Sequence, residues 1–464
     1  MLALGRLFGT DGVRGVVNEL LTPELALKLG AAIATYYGEG ARILVGRDAR
    51  VGGDMILHAV VAGLLSSGAR VYVAGSQGFA PTPAVQYAVK ELGYDAGVII
   101  TASHNPPQYN GIKVVGPLGI EIDRDTERKI EEIYFEERFR RIPWSRAINE
   151  TNTEHRVVNL YVDAVVDRVD KNLIRRRGFR VLVDCANNVS SLTSPEILRK
   201  LGVKVYTLAC NPGPFPYREP EPTPDSLAEV AAVVRTLGLD MAVGHDGDGD
   251  RAIILDEKGE VWWGDRTGTL LAAYIAEEKL PDVPKRLYTA VSSSRLVSDY
   301  LEPRGIEVVW TPVGSINLSY RLLEEGGIAG FEENGGFIYP PHLLARDGGM
   351  TLALFLEMLA KKGVKASELF SELPRYYAVK TKVPMQREKA LKVVEALRNE
   401  YEGKPGYRIV TVDGLRVEAD DFWFLVRPSG TEPVLRIMVE ARSPDRAKEL
   451  ANNLVEKARR LAAL

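Results

Sequence analysis

The chain has 464 residues, and at roughly 150 residues per domain that length excludes a single small module and suggests about three domains, with four smaller ones also compatible. Its 59 Lys and Arg against 62 Asp and Glu leave a formal charge of −3, so nothing in the charge balance calls for nucleic acid or an anionic membrane. A composition of 45% hydrophobic and 26% charged residues excludes disorder and permits a sizeable core.

The first residues reach Gly-Thr-Asp-Gly before any long apolar run, and no later run approaches the ~20 residues of a membrane span, so the sequence reads as cytoplasmic. Next, TPELALKLGAAIATYY from Thr22 predicts a helix with a Thr cap and Pro at its first position. Apolar runs at Ile43 (ILVG), Val71 (VYVAG) and Gly97 (GVIITAS) read as buried strands. The charged stretch from Asp123 to Arg156 reads as helical and leads into a second unit, whose strands start at Val181 (VLVD) and Met241 (MAVGHD). Between them, CNPGPFPYREPEPTP from Cys210 is too rich in proline for anything but a long loop, and a helix follows from Ser226. A third unit carries the strand IAGFEE at Ile328 and ends in a helix near Leu373. From Tyr376 the pattern changes to strand, helix, a hairpin around Asp413-Gly414, strand and terminal helix.

This order predicts three related mixed α/β domains, spanning 1–153, 154–255 and 256–373, followed by a smaller α+β domain over 374–464. Three of the strands run straight into polar, Gly-rich loops: TASHNP at Thr101, DGDGDR at Asp246 and EENGG at Glu332. Ligands of open α/β sheets bind just beyond the carboxyl ends of the strands, so these loops are expected to share a cleft.

Asp246, Asp248 and Asp250 alternate with glycines, a spacing that lets three carboxylates converge on one hard cation, for which magnesium beside a phosphate is the natural choice. An EF-hand calcium loop is the rival, with Glu257 at its twelfth position, but Arg251 stands where that loop needs Gly and the flanks read as strands. The two cysteines, Cys185 and Cys210, and five histidines build neither a disulfide framework nor a four-cysteine zinc site, so any metal site must be oxygen-rich.

Ser103 ends an apolar run where its hydroxyl can face a cleft, outside any G-x-S-x-G elbow, and His104 could hold the loop or exchange protons. An Asn-Gly turn between Ser103 and Lys113 could fold the lysine back toward the same place. RPSGTEP from Arg427 puts a guanidinium, two hydroxyls and a Gly-exposed amide together, an inventory suited to a phosphate oxyanion. Arg14, Arg47 and Arg50 could each pair with phosphate or with a neighbouring carboxylate.

Taken in order, FGTDGVRG, TASHNP, DGDGDR, FEENGG and RPSGTEP resemble the α-D-phosphohexomutase family over essentially the whole chain. The resemblance implies three related α/β domains and a C-terminal domain around a central cleft. It implies that Ser103 carries a phosphoryl group and that Asp246, Asp248 and Asp250, with the phosphoserine at 103, hold magnesium. Lys113 would transfer protons, while Arg14, His104 and Arg251 would line the phosphoryl-transfer site. Glu332 and Asn334 would grip sugar hydroxyls, and Arg427, Ser429, Gly430 and Thr431 would hold the distal phosphate.

The implied reaction interconverts hexose 1-phosphates and hexose 6-phosphates through a bisphosphorylated sugar, with hexose 1,6-bisphosphate as activator. Phe331 and Asn334 resemble N-acetylglucosamine-phosphate mutases and FGTDGVRG resembles phosphoglucosamine mutases, while Gly336 stands where many relatives close the sugar loop with His. Glucose, mannose and glucosamine phosphates are thus all candidate substrates, and a dedicated phosphoglucosamine mutase is the alternative. A noncatalytic sugar-phosphate sensor would need only the phosphate and sugar loops, whereas this chain also has Ser103, Lys113 and the three aspartates.

Overall fold

The computed structural model describes residues 6–9, 11–147, 151–429 and 433–462. The chain forms two compact units, one of Met1–Thr267 with Asn334–Leu369, the other of Gly268–Glu333 with Phe370–Leu464.

The first unit contains two sheets. In one, strands run in the order Val13–Val16, Tyr109–Val115, Ala96–Ile100, Arg42–Arg47, Arg70–Ala74 and Asn152–Glu154. The last four are parallel, and Tyr109–Val115 alone in this sheet runs antiparallel to both of its neighbours. The predicted helix is Pro23–Tyr37, with Thr22 accepting from the Leu25 amide as expected of a cap. It packs with the helix Gly53–Ser66 over a core that includes Ile43, Val45, Ile56, Val60, Val71 and Val98.

The charged stretch after Asp123 is helical only over Arg124–Phe135. Beyond it Pro143 and isolated apolar side chains supply no continuous buried stripe, and the chain forms one short 3₁₀ turn at Trp144–Arg146 before Asn152–Glu154 joins the sheet edge.

The second sheet runs Val261–Trp262, Ala252–Asp256, Met241–His245, Arg180–Asp184, Lys204–Leu208. Met241–His245 is parallel to Arg180–Asp184 but antiparallel to Ala252–Asp256. DGDGDR is therefore the connection between two antiparallel strands, which removes the helical flanks an EF-hand requires. The helix predicted from Ser226 begins at Ala228, because Ser226 and Thr223 are engaged in reciprocal hydrogen bonds one turn earlier.

Cys185, at the end of Arg180–Asp184, is disulfide-bonded to Cys210, where the proline-rich loop begins. The composition argument against a disulfide framework thus missed one crosslink, since a single pair 25 residues apart looks in sequence like two free thiols.

In the second unit, Glu307–Thr311, Arg286–Ala290 and Ala329–Phe331 are parallel neighbours. The C-terminal sheet is antiparallel, in the order Tyr377–Pro384, Val434–Ala441, Phe422–Pro428, Leu415–Glu418, Arg408–Val410, and packs on the helices Arg387–Tyr401 and Pro444–Ala462. The Asp413-Gly414 hairpin is present between Arg408–Val410 and Leu415–Glu418. Antiparallel pairing of Phe422–Pro428 with Val434–Ala441 gives this sheet one more strand than the pattern suggested.

Candidate active site

The serine loop follows the buried strand Ala96–Ile100. Ser103 is fully buried with a left-handed backbone, φ 51°, a strained conformation for a non-glycine residue that persists only where the surroundings impose it. Here they do: the Ser103 amide donates to Thr101 Oγ1 at 2.8 Å, and Arg50 donates to the Ser103 carbonyl at 2.6 Å. Arg50 and Thr101 in turn meet on Asp48, at 2.8 and 2.7 Å. Arg50 is thus part of the loop's scaffold, and Arg47 likewise pairs with Asp54 and stacks over Phe79.

Held this way, the Ser103 hydroxyl donates to Asp246 Oδ2 at 2.6 Å and lies 3.4 Å from His104 Nδ1. The approach of the two loops depends on Gly247, since a Cβ there would sit 2.5 Å from the Ser103 carbonyl oxygen; Gly249 then supplies a left-handed turn, φ 74°. Buried His245 closes the aspartate loop, its Nδ1 2.8 Å from the Arg251 carbonyl oxygen.

Asp246, Asp248 and Asp250 are all buried, and one oxygen from each lies within 4.8 Å of the others. Asp248 Oδ1 and Asp250 Oδ1 are buried without a hydrogen-bond partner. Unanswered carboxylate oxygens facing one point fit a hard divalent cation. Burial, then repulsion from Asp248 and Asp250, pushes Asp246 well above the ordinary carboxylate range. Burial would also raise Asp248, but the Lys113 ammonium and the Thr82 hydroxyl outweigh it and hold it low.

Lys113 reaches this cluster by a different route from the one its sequence suggested. Asn110-Gly111 is no turn; it lies inside the strand Tyr109–Val115, and antiparallel pairing of Lys113 with Ile99 returns the lysine to the site. Its ammonium lies 3.2 Å from Asp248, 3.5 Å from Asp250 and 3.7 Å from Glu121. Burial alone would lower its pKa; the three carboxylates override that and raise it, so the side chain is cationic.

The same strand pairs Gly111 with Arg14, bringing Arg14 to Asn105 Oδ1 at 2.6 Å and Asp11 at 3.4 Å. His104 is driven down to about 2 by burial and by the nearby Arg251 and Arg14, so it is neutral and able to accept as well as donate. Arg251 Nη1 binds both oxygens of Glu221, at 2.7 and 2.6 Å.

Among the expected sugar-loop residues, Asn334 belongs to this unit and accepts from the Gly336 amide. The Ala252 amide donates to the Gly335 carbonyl at 3.0 Å, which ties Asn334–Gly336 to the strand leaving the aspartate loop.

Glu332 belongs to the second unit, buried and accepting from the Gly314 amide. Arg427, in that unit, pairs with Asp413 at 3.0 Å and keeps a buried Nε without a partner. It lines a cavity of 530 Å³ with Lys380, Lys382, Arg436 and Glu333, a mainly cationic lining whose chemistry suits a phosphate. Ser429 is buried, while Gly430 and Thr431 lie outside the described residues.

Four family profiles match the sequence in succession: phosphoglucomutase/phosphomannomutase α/β/α domains I, II and III over residues 5–141, 159–259 and 263–377, and the C-terminal domain over 380–457. A phosphoglucosamine/phosphogalactosamine mutase of Sulfurisphaera tokodaii is 52% identical across 97% of this chain and 98% of that protein. The chain belongs to the phosphoglucomutase/phosphomannomutase family. It is a hexose phosphate mutase, an intramolecular phosphotransferase built of three α/β/α domains and a C-terminal domain. A phosphoglucomutase/phosphomannomutase of Thermococcus kodakarensis is 43% identical over 96% of this chain and 97% of its own. A crystal structure of a phosphoglucomutase/phosphomannomutase family protein from Burkholderia thailandensis superposes with a TM-score of 0.84 at 26% identity, over 98% of this chain and 97% of that one.

Sequence reasoning missed several residues that complete this mutase's first unit. Thr82, at the start of the helix Thr82–Glu91, donates to Asp248 Oδ2 at 2.7 Å. Arg346, 3% exposed, donates to Asp250 Oδ2 at 2.8 Å. Glu121 and Asp11 add negative charge near Lys113 and Arg14. Thr82, Glu121 and Arg346 are common residue types outside the Gly-rich loops; Asp11 within FGTDGVRG and Glu221, a carboxylate fixed between prolines in PEP, carried a local signal.

Among the described residues no helix is long and apolar enough to cross a membrane.

Proposed function

We propose that this mutase carries its phosphoryl group on Ser103 and that the cluster around it performs both halves of the transfer. The observation that carries this reading is the Ser103 hydroxyl at 2.6 Å from Asp246, among three buried carboxylates with buried Lys113 and Arg251 and half-buried His104 beside them. In the first half, the Oγ–phosphorus bond of phosphoserine breaks while a free sugar hydroxyl oxygen bonds to phosphorus; the hydroxyl proton passes to Lys113 as the amine, and Ser103 Oγ takes up a proton that it gives back when it is phosphorylated again. The bisphosphate then turns over, and its other phosphoryl group passes to Ser103 Oγ.

Lys113 is the proton-transfer group. As the ammonium its neighbours favour, it gives a proton to the sugar oxygen that is released; the opposite half-reaction uses it as the amine. Arg14 and Arg251 offset charge on the transferring phosphoryl group, and neutral His104 donates to its oxygens. Magnesium held by Asp246, Asp248 and Asp250 with the phosphoserine would supply further charge neutralisation at the same point.

Glu332 and Asn334 read the sugar hydroxyls, and Arg427, Ser429, Gly430 and Thr431 hold the phosphate that is not being transferred. Because that cradle recognises a phosphate and not a ring, either end of the bisphosphate can occupy it. Glucose and mannose phosphates are substrates, with activity extending to glucosamine phosphate, and hexose 1,6-bisphosphate activates enzyme that has lost its phosphoryl group. A second reading, restriction to hexosamine phosphates, is favoured by the 52% identity to the Sulfurisphaera tokodaii enzyme. We place the reaction in the cytoplasm; the Cys185–Cys210 disulfide is compatible with that compartment only where intracellular disulfides persist.

The test is turnover of glucose, mannose, glucosamine and galactosamine 1-phosphates by the phosphorylated enzyme. Activity on all hexose classes supports the broad reading, activity on the two amino sugars alone supports the second, and activity on none overturns both.

A further inference from the structure

The proline-rich loop between Cys210 and Ser226 enters none of the roles above, yet it is pinned at several points and delivers one carboxylate to the phosphoryl-transfer cluster. Its start is crosslinked to Cys185 at the end of a buried strand. Its middle is held by Arg218, whose nearly buried guanidinium donates to Asp184 Oδ2 and to the His245 carbonyl, both at 2.6 Å. His245 immediately precedes the first aspartate of DGDGDR. Its end is held where Ser226 Oγ donates to the Glu221 carbonyl at 2.6 Å and the Thr223 amide does so at 3.0 Å. Pro220 and Pro222 on either side of Glu221 restrict its backbone further.

The carboxylate so presented accepts twice from Arg251 Nη1 and lies 3.8 Å from His104 Nδ1. The far edge of the same guanidinium faces the aspartates: Nε is 3.9 Å from Asp246 and 4.0 Å from Asp250, buried, and makes no hydrogen bond. One edge of Arg251 is therefore anchored and the other has an unused donor beside Ser103's partner. A charged side chain with several rotatable bonds loses that aim when its anchor is removed.

We propose that Glu221 is a positioning residue for phosphoryl transfer, fixing the Arg251 guanidinium so that its Nε is aimed at the group carried on Ser103. The inference rests on the assignment of Ser103 and Arg251 above. It excludes a role for Glu221 in binding sugar or in folding alone, because both would act without Arg251.

The experiment is a double-mutant cycle on the full chain with Glu221→Gln, Arg251→Lys and the pair, measuring kcat and KM on the best sugar 1-phosphate. Glu221→Gln is expected to lower kcat by roughly 10- to 100-fold with KM changed by less than about threefold, the signature of lost alignment. In the Arg251→Lys background the same change is expected to cost less than about twofold, because the residue it positions is gone. Glu221→Asp, which keeps the charge, is expected to fall between wild type and Glu221→Gln.

Losses that multiply in the double variant, or a Glu221→Gln effect confined to KM, overturn the proposal. Ser103→Ala in the same assay separates the two layers: normal turnover by that variant overturns the site assignment itself. An inactive Ser103→Ala beside multiplying losses overturns only the role of Glu221.

Discussion

Ser103 and Asp246 are 143 residues apart in the chain, and the hydroxyl of the first donates to the carboxylate of the second at 2.6 Å. The contact joins the ends of two buried strands from different sheets, Ala96–Ile100 and Met241–His245. It places a candidate phosphoryl carrier against a candidate cation site, the juxtaposition that phosphoryl transfer requires.

The aspartate cluster should behave as a metal site with unequal ligands. Asp248→Asn is expected to weaken magnesium binding by at least about tenfold, since a charge-assisted ligand contact is worth roughly 1.5 to 3 kcal/mol. Affinity for a sugar phosphate in the absence of metal should change much less. Calorimetric titration of each ligand separately decides it, and unchanged magnesium affinity would make DGDGDR a structural loop. Exhaustive chelation is expected to abolish turnover and added magnesium to restore it.

Phosphate and sugar recognition should separate by mutation. Arg427→Ala is expected to reduce kcat/KM for every hexose 1-phosphate by a similar factor, about 10- to 100-fold, because a guanidinium–phosphate contact ignores ring stereochemistry. Glu332→Gln or Asn334→Ser should change the ranking of glucose, mannose and glucosamine phosphates, whose hydroxyls and amine differ where these side chains would bind. Equal losses on all sugars for the Glu332 variant would remove it from specificity.

A stability prediction concerns Glu154, on the edge strand Asn152–Glu154. Hydrogen bonds from Arg156 first, and a further one from Tyr94, outweigh its burial and hold its pKa at about 2, against 4.5 ordinarily. A carboxylate depressed in the folded state contributes stability above its unfolded pKa and loses it as the pH falls toward the folded value. Glu154→Gln should therefore lower the thermal midpoint at pH 7, with the difference from wild type shrinking between about pH 4.5 and pH 2. A difference constant across that range would assign the effect to packing.

Much of this site could be read in advance because its parts announce themselves locally. Apolar runs that stop at Gly-rich polar loops mark strand ends, and the structure puts strands at Arg42–Arg47, Arg70–Ala74, Ala96–Ile100, Arg180–Asp184, Met241–His245 and Ala329–Phe331 where those runs occur. What escaped is set by tertiary pairing. Lys113 returns to the site through strand register and not through a turn. Arg346 and Thr82 are ordinary residues until Asp250 and Asp248 meet them. Arg50 could have met a phosphate or a neighbouring carboxylate, and nothing in GRDAR reveals which; the fold gives it to Asp48 and the Ser103 carbonyl. Charge without a buried stripe likewise made 136–147 look more helical than it is.

The most direct test follows the phosphoryl group itself. Dephosphorylated enzyme is incubated with hexose 1,6-bisphosphate labelled in its phosphoryl groups, and peptides are mapped by mass spectrometry before and after a chase with unlabelled hexose 1-phosphate. The label is expected on Ser103, leaving during the chase as labelled bisphosphate, while Ser103→Ala takes up none and loses at least about 10³-fold in kcat. Label on another residue, label on Ser103 that survives the chase, or near-normal turnover by Ser103→Ala would contradict the assignment.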